Sequence, residues 1–169
     1  MATAGTDANL TATVSNRVGL AYFEALVRRL GTALEADFAC VANLDAASGR
    51  LGIVASHATG DDAARWSAAL DGPPWPLVRA DATLLHADGI AELHPDNPAL
   101  AGARAGASTP LVDADGRTLG LIAVLGRRPF AQPRMVGFVL ELFAERAAAE
   151  IDWKSTRLNS SHRMPSRMP

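Results

Sequence analysis

The chain has 169 residues, 49% of them hydrophobic, and carries 16 Lys and Arg against 18 Asp and Glu. That length fits one domain with one core, and the composition excludes a disordered chain. A net charge of −2 argues against a nucleic-acid surface, no run of about 20 apolar residues is present to span a membrane, and the one cysteine, Cys40, excludes an internal disulfide framework and a multi-Cys zinc site.

Taken in order, residues 1–16 are rich in Ala, Thr and Asn with little apolar periodicity and read as a disordered leader. They lack the charged-then-apolar layout of a signal peptide, so a reducing cytoplasm is the expected compartment. Residues 17–35 read as a helix, because Phe23, Leu26, Val27, Leu30 and Leu34 fall on one stripe. Residues 37–44 read as a strand, with Phe38, Cys40, Ala42 and Leu44 on one face and Ala39, Val41 and Asn43 on the other. Residues 50–57 pair back as a second strand. Residues 61–70 form a short helix that Asp61 or Asp62 can cap.

The stretch DGPPWP, residues 71–76, stops that helix, since proline fixes φ and removes a donor. It is a rigid elbow presenting Trp75. A helical turn over 77–80, a strand over 83–86 and short helices over 89–93 and 98–104 complete an irregular segment of about 35 residues. Ordinary connections are shorter, and long ones tend to carry function or to be disordered.

Residues 108–112 and 118–125 then form a hairpin. Asp113 and Asp115 bond nearby backbone and Gly116 takes a positive φ in the turn. TLGLIAVL is apolar on both faces, which predicts a central strand covered on both sides, with Gly120 leaving room for a close neighbour. Residues 132–153 form the longest helix, with Pro133 in its first turn and Val136, Val139, Leu140, Phe143, Ala147 and Ile151 as its stripe. Met135, Phe138 and Leu142 lie beside that stripe, so this helix needs a second partner besides its own sheet. The last stretch, KSTRLNSSHRMPSRMP over residues 154–169, loses all periodicity. It is similar to a translated sequencing adapter and is expected to be a non-native read-through tail, outside the fold.

The element order, with the runs YFEALVRRLGTALEADFACVANLD, GIAELHPDNPAL, PLVDADGRTLGLIAVLGRRPF and FAERAAAEI, resembles the GAF domains of bacterial sensor histidine kinases and related multidomain signalling proteins. The resemblance covers residues 17–153. It implies an α+β fold with a central antiparallel sheet of five or six strands. The first and last helices cover one face, and short helices roof a small-molecule pocket on the other. A PAS fold is the alternative, but a long helix before the first strand and the PL-x-D-x-x-G hairpin fit GAF better. Members of this group often carry a GTPC elbow where this chain has Gly72-Pro73-Pro74-Trp75, so thiol sensing there is not expected. Sulfoxide-reductase GAF domains need several thiols, and bilin-binding ones use a loop cysteine, whereas Cys40 is mid-strand. The run that marks cyclic-nucleotide GAF domains is absent from the sequence.

The candidate ligand contacts are Trp75, Leu77, Val78, His86 and Cys40. Trp75 either walls a pocket or plugs the sheet, and Cys40 also reads as a small core residue. His57, His86 and His94 match no compact metal-ligand spacing, so no metal site is expected. Turn chemistry accounts for Asp113 and Asp115, and Arg127-Arg128 reads as a solvated strand exit that an anion could use. Ser160-Ser161-His162 lacks the acidic residue that follows a kinase phosphoacceptor histidine. No catalytic residues and no required cofactor are read from the chain.

The implied function is sensory input, by small-molecule binding, to a C-terminal output domain of a two-component histidine kinase. The implied partners are that domain and a second copy, in a weak homodimer through the terminal helices. The alternatives are a ligand-free dimerisation module, the input domain of a cyclic-di-nucleotide signalling enzyme, and a stand-alone enzyme. The last of these lacks a nucleophile–base pair.

Overall fold

The computed structural model describes residues 4–61, 65–67 and 82–161, with side chains over 19–61, 65–67 and 82–153. The elements are α1 (Ala4–Ala33), β1 (Phe38–Leu44), β2 (Leu51–Ala58), β3 (Leu84–His86), α2 (Ile90–Leu93), a 3-10 turn (Pro98–Leu100), β4 (Ala105–Val112), β5 (Thr118–Gly126) and α3 (Pro133–Ser161). The five strands form one antiparallel sheet in the order β2-β1-β5-β4-β3.

β5 is the middle strand, as its doubly apolar sequence predicts. Ile122, Val124 and Leu125 are wholly buried, and Leu121 nearly so. Alternation sends Ile122 and Val124 to the helix face and Leu121, Ala123 and Leu125 to the opposite one. β1 divides the same way, with Ala39 and Val41 on the helix face and Phe38, Cys40 and Ala42 on the other. β1 also explains Gly120. A Cβ there would fall on the carbonyl oxygen of Ala42 and 2.9 Å from Cα of Asn43, so the close neighbour is the backbone of β1.

α1 lies over β1 and β2, and α3 over β4 and β5. The stripe Phe23, Leu26, Val27, Leu30 and Leu34 supplies one half of this core; Val136, Leu140 and Ala147 supply much of the other. The β4–β5 turn is built by Asp113, whose Oδ1 accepts from the N–H groups of Asp115 at 2.9 Å and Arg117 at 2.8 Å. Gly116 takes φ 81 there.

Several boundaries differ from the sequence reading. Residues 4–16, expected as a disordered leader, continue α1 as helix. Their Ala content favours helix, and Thr, Ser and Asn oppose it only weakly. α3 runs past Trp153 to Ser161, so helical backbone enters the stretch expected to lie outside the fold. The helix expected over 98–104 is only the 3-10 turn. Pro98 starts it, the side chain of Asn97 caps it by accepting from the N–H of Ala99, and Gly102 at φ 84 follows its end. β4 begins at Ala105, three residues before the first hairpin arm expected at 108–112, because Ala105, Gly106 and Ala107 all pair with β5. Of the helix expected over 61–70, residues 65–67 are helical, Asp61 sits in a turn, and the rest lies outside the described residues.

Candidate functional site

The sheet face opposite α1 and α3 is floored by Phe38, Cys40, Ala42, Leu121, Ala123 and Leu125. Trp66, Ile90, Leu100 and Ala103 cover it. Trp66 is fully buried, edge-on to Phe38 with ring centroids 6.0 Å apart. Among the described residues its Nε1–H has no hydrogen-bond acceptor.

The cover is fixed at two charged points. Arg104 grips Asp88 through Nε to Oδ1 and Nη2 to Oδ2, both at 2.7 Å. Asp88 Oδ1 also accepts from the N–H of Gly89 at 2.8 Å, which sets the start of α2. The Arg104 guanidinium holds the Asp88 carboxyl below its usual range. The second point is Arg127. Its backbone N–H donates to Asp37 Oδ2 at 2.7 Å; its Nη1 donates to Asp37 Oδ1 at 3.3 Å and to the carbonyl of Thr59 at 3.2 Å. The guanidinium carbon also lies 5.4 Å from the Trp66 ring centroid, in cation–π range. The end of β5, the start of β1 and the residues after β2 thus meet on one side chain. The expectation of a solvated strand exit fails for Arg127, because the β1–β5 register places Phe38, next to Asp37, opposite Leu125. It holds for Arg128, which is exposed.

Of the sequence-predicted contacts, Trp75, Leu77 and Val78 lie outside the described residues. Cys40 is fully enclosed in the floor, and burial pushes its thiol up to about 12, an N–H bond from Ala123 offsetting this only in part. A thiol so buried is protonated and inert. His86 is half-buried on the edge strand, its ring edge-on to His94 with centroids 5.9 Å apart. Partial burial, and then the neighbouring His94, lower the His86 pKa from 6.5. His57 stands apart from this pair. It is on β2 opposite Ala39, beside Gly31 of α1, on the helix face. Among the described residues no group of three or more His, Cys, Asp or Glu could hold a metal.

Sequence reasoning missed Trp66 and the pairs Asp37–Arg127 and Asp88–Arg104. Trp66 is the bulkiest apolar residue of its short helix, which is a usable signal for a core position. Asp37 and Arg127 are 90 positions apart, and only the β1–β5 pairing brings them together.

A cleft of about 310 Å³ lies on another part of the surface, between the C-terminal end of α1 and the β5–α3 link. It does not include the pocket-face residues expected to bind ligand.

An antiparallel sheet between two long helices and a layer of short elements defines an α+β module. The family model of the GAF domain matches residues 20–151, and the chain belongs to that family. Solved structures share the fold. A domain described as part of a two-component sensor histidine kinase protein from Sinorhizobium meliloti 1021 is 21% identical, with a TM-score of 0.63, covering 83% of this chain and 95% of that one. The blue-light-absorbing PixJ GAF domain from Thermosynechococcus elongatus is 17% identical, with a TM-score of 0.64, covering 89% and 96%. A type II free methionine-R-sulfoxide reductase from Thermoplasma acidophilum is 15% identical, with a TM-score of 0.63, covering 82% and 94%. Among curated proteins none matches the chain. No helix among the described residues is long and apolar enough to cross a membrane.

Proposed function

We propose that this GAF domain is a cytoplasmic small-molecule sensor whose last helix passes its state to a C-terminal output domain, that of a two-component histidine kinase. The observation that carries this reading is the construction of α3. It is 29 residues long, follows the central strand through a six-residue link, and is seated on β4 and β5. Its outer row remains uncovered, with Met135 51%, Phe138 59% and Leu142 48% exposed. A helix packed on its sheet by one stripe and apolar on the next suits a lever that pairs with a second copy. The proposed dimer is weak in this chain, because the coiled coil of a longer protein would add to it.

The ligand is proposed to bind under the irregular segment on the pocket face, against Trp75, Leu77, Val78 and His86, with Cys40 in the floor beneath. Catalysis is assigned to the output domain. The reductase chemistry of the Thermoplasma relative is not proposed here, because the one cysteine is fully buried and its thiol pKa is raised.

The test is a thermal-shift screen of a metabolite library on the parent chain and on Trp75→Phe. The reading expects at least one compound that raises the parent Tm and whose effect shrinks in the variant. A library without such a compound, or a response unchanged by Trp75→Phe, contradicts the proposed site.

A further inference from the structure

The cleft at the root of α3 has a chemistry of its own. Leu34, at the end of α1, and Phe130 and Val136, at the start of α3, are almost fully buried and give it an apolar lining, while Met135 is exposed beside them. Two residues of opposite charge belong to this lining: Glu35 on the α1 side and Arg128 on the link, both exposed. Among the described residues neither has an ion-pair partner. The other carboxylate in the lining, Asp37, is occupied by Arg127.

The frame is held from both ends. The link starts at the Arg127–Asp37 bonds and is tied down where the N–H of Phe130 donates to the carbonyl of Ala87 at 3.0 Å. On the other wall, Glu35 is set in the left-handed region, φ 50, by a helix-ending turn in which the N–H of Ala36 donates to the carbonyl of Gly31 at 2.9 Å. Its carboxylate is therefore carried on a fixed backbone. A volume of about 310 Å³ is at the small end of the ~300–1,000 Å³ range of ligand pockets.

We propose that this cleft is a second ligand site, separate from the pocket face, for a small zwitterion with an apolar body. The ligand's carboxylate is received by Arg128, its ammonium by Glu35, and its carbon chain by Leu34, Phe130 and Val136. With Asp37 engaged by Arg127, the lining offers a ligand one acidic and one basic residue, Glu35 and Arg128, so a molecule with only one of the two charges leaves the opposite residue unmatched. The occupied cleft joins the end of α1 to the start of α3. Such a ligand biases the packing of the two helices as far as it prefers one arrangement over another.

The experiment is isothermal titration of the full chain with 6-aminohexanoate and with L-norleucine, two zwitterions of different charge spacing. Hexanoate and hexylamine serve as single-charge controls, and 15N–1H NMR locates the binding. At least one zwitterion should bind saturably in the millimolar range or tighter, shifting the amides of Leu34, Gln132 and Met135. Both controls, and the variants Arg128→Gln and Glu35→Gln, should weaken binding about tenfold or more, the usual effect of losing a charge-assisted hydrogen bond. Both side chains are exposed, so the variants should fold, and their NMR spectra check this. Absence of saturable binding by either zwitterion overturns the proposal. So does binding that survives both variants, equal binding by the controls, or shifts confined to the pocket-face residues Leu84 and Ile90.

Discussion

Gly120→Ala is the sharpest test of the sheet. Position 120 lies on β5, opposite Asn43 of β1 on one side and Leu111 of β4 on the other. The added methyl would meet the carbonyl oxygen of Ala42, and 3.0 Å and 2.9 Å away the Ala42 carbonyl carbon and Asn43 Cα. All three are backbone atoms of the neighbouring strand, so no rotamer relieves the clash and β1 must move off β5. Overpacking that forces backbone to shift typically costs about 1–3 kcal/mol. Replacing glycine returns about 0.4–1 kcal/mol through the unfolded chain. Because the clash is with backbone, the overpacking cost should fall at the upper end of its range, and the net expectation is a loss of about 2 kcal/mol. Gly52→Ala is the control, since its methyl meets only the Asn43 side-chain oxygen, at 2.9 Å, which can swing away. Urea denaturation with a constant m-value measures both. A loss below about 1 kcal/mol for Gly120→Ala, or one equal to that of Gly52→Ala, would refute the close β1–β5 approach, since typical surface changes stay within about half of that.

Three further outcomes follow from the same geometry. Ile122→Ala, in the wholly buried middle of β5, should cost about 2–5 kcal/mol by chemical denaturation; a loss under about 1 kcal/mol would make β5 peripheral. Glu35→Gly should stabilise the fold by up to about 1 kcal/mol in the same assay, because φ 50 is strained for any residue with a Cβ; a destabilised variant would contradict that strain. The Cys40 thiol, raised from 9.0 to about 12, ionises first in the unfolded chain. The unfolded state therefore binds fewer protons, and stability should fall as pH rises from 9 toward 12, by about 2 kcal/mol at about pH 10.5. Cys40→Ala should remove that part of the pH profile; an unchanged profile would place the titration elsewhere.

Much of this fold was legible in the sequence because periodicity reports burial directly. The stripe from Phe23 to Leu34, the alternation of Phe38 to Ala42 and the doubly apolar run at 118–125 each named the correct faces. Gly120 was legible as a close approach, and Asp113 and Gly116 as a turn, because each needs only local stereochemistry. The helix ends were less legible. Residues 4–16 and 154–161 carry no apolar stripe, yet helical hydrogen bonding continues through them without one. The charged points of the pocket face were not legible at all. Asp37–Arg127 depends on strand pairing across 90 positions, and Asp88–Arg104 on the chain folding back after the 3-10 turn. The cleft at the root of α3 was missed for the same reason, since its walls come from residues 33–37 and 128–136, far apart in the sequence.

The lever role of α3 is tested most directly by sedimentation equilibrium of the chain over a wide concentration range, beside Phe138→Glu and Leu142→Glu. Both side chains are about half exposed, so the charges should leave the monomer folded. The account predicts concentration-dependent self-association of the parent chain and its loss in both variants, with unchanged thermal unfolding at low concentration. A parent chain that stays monomeric at the highest concentration, with both variants indistinguishable from it, would show that this face has no partner and would contradict the account.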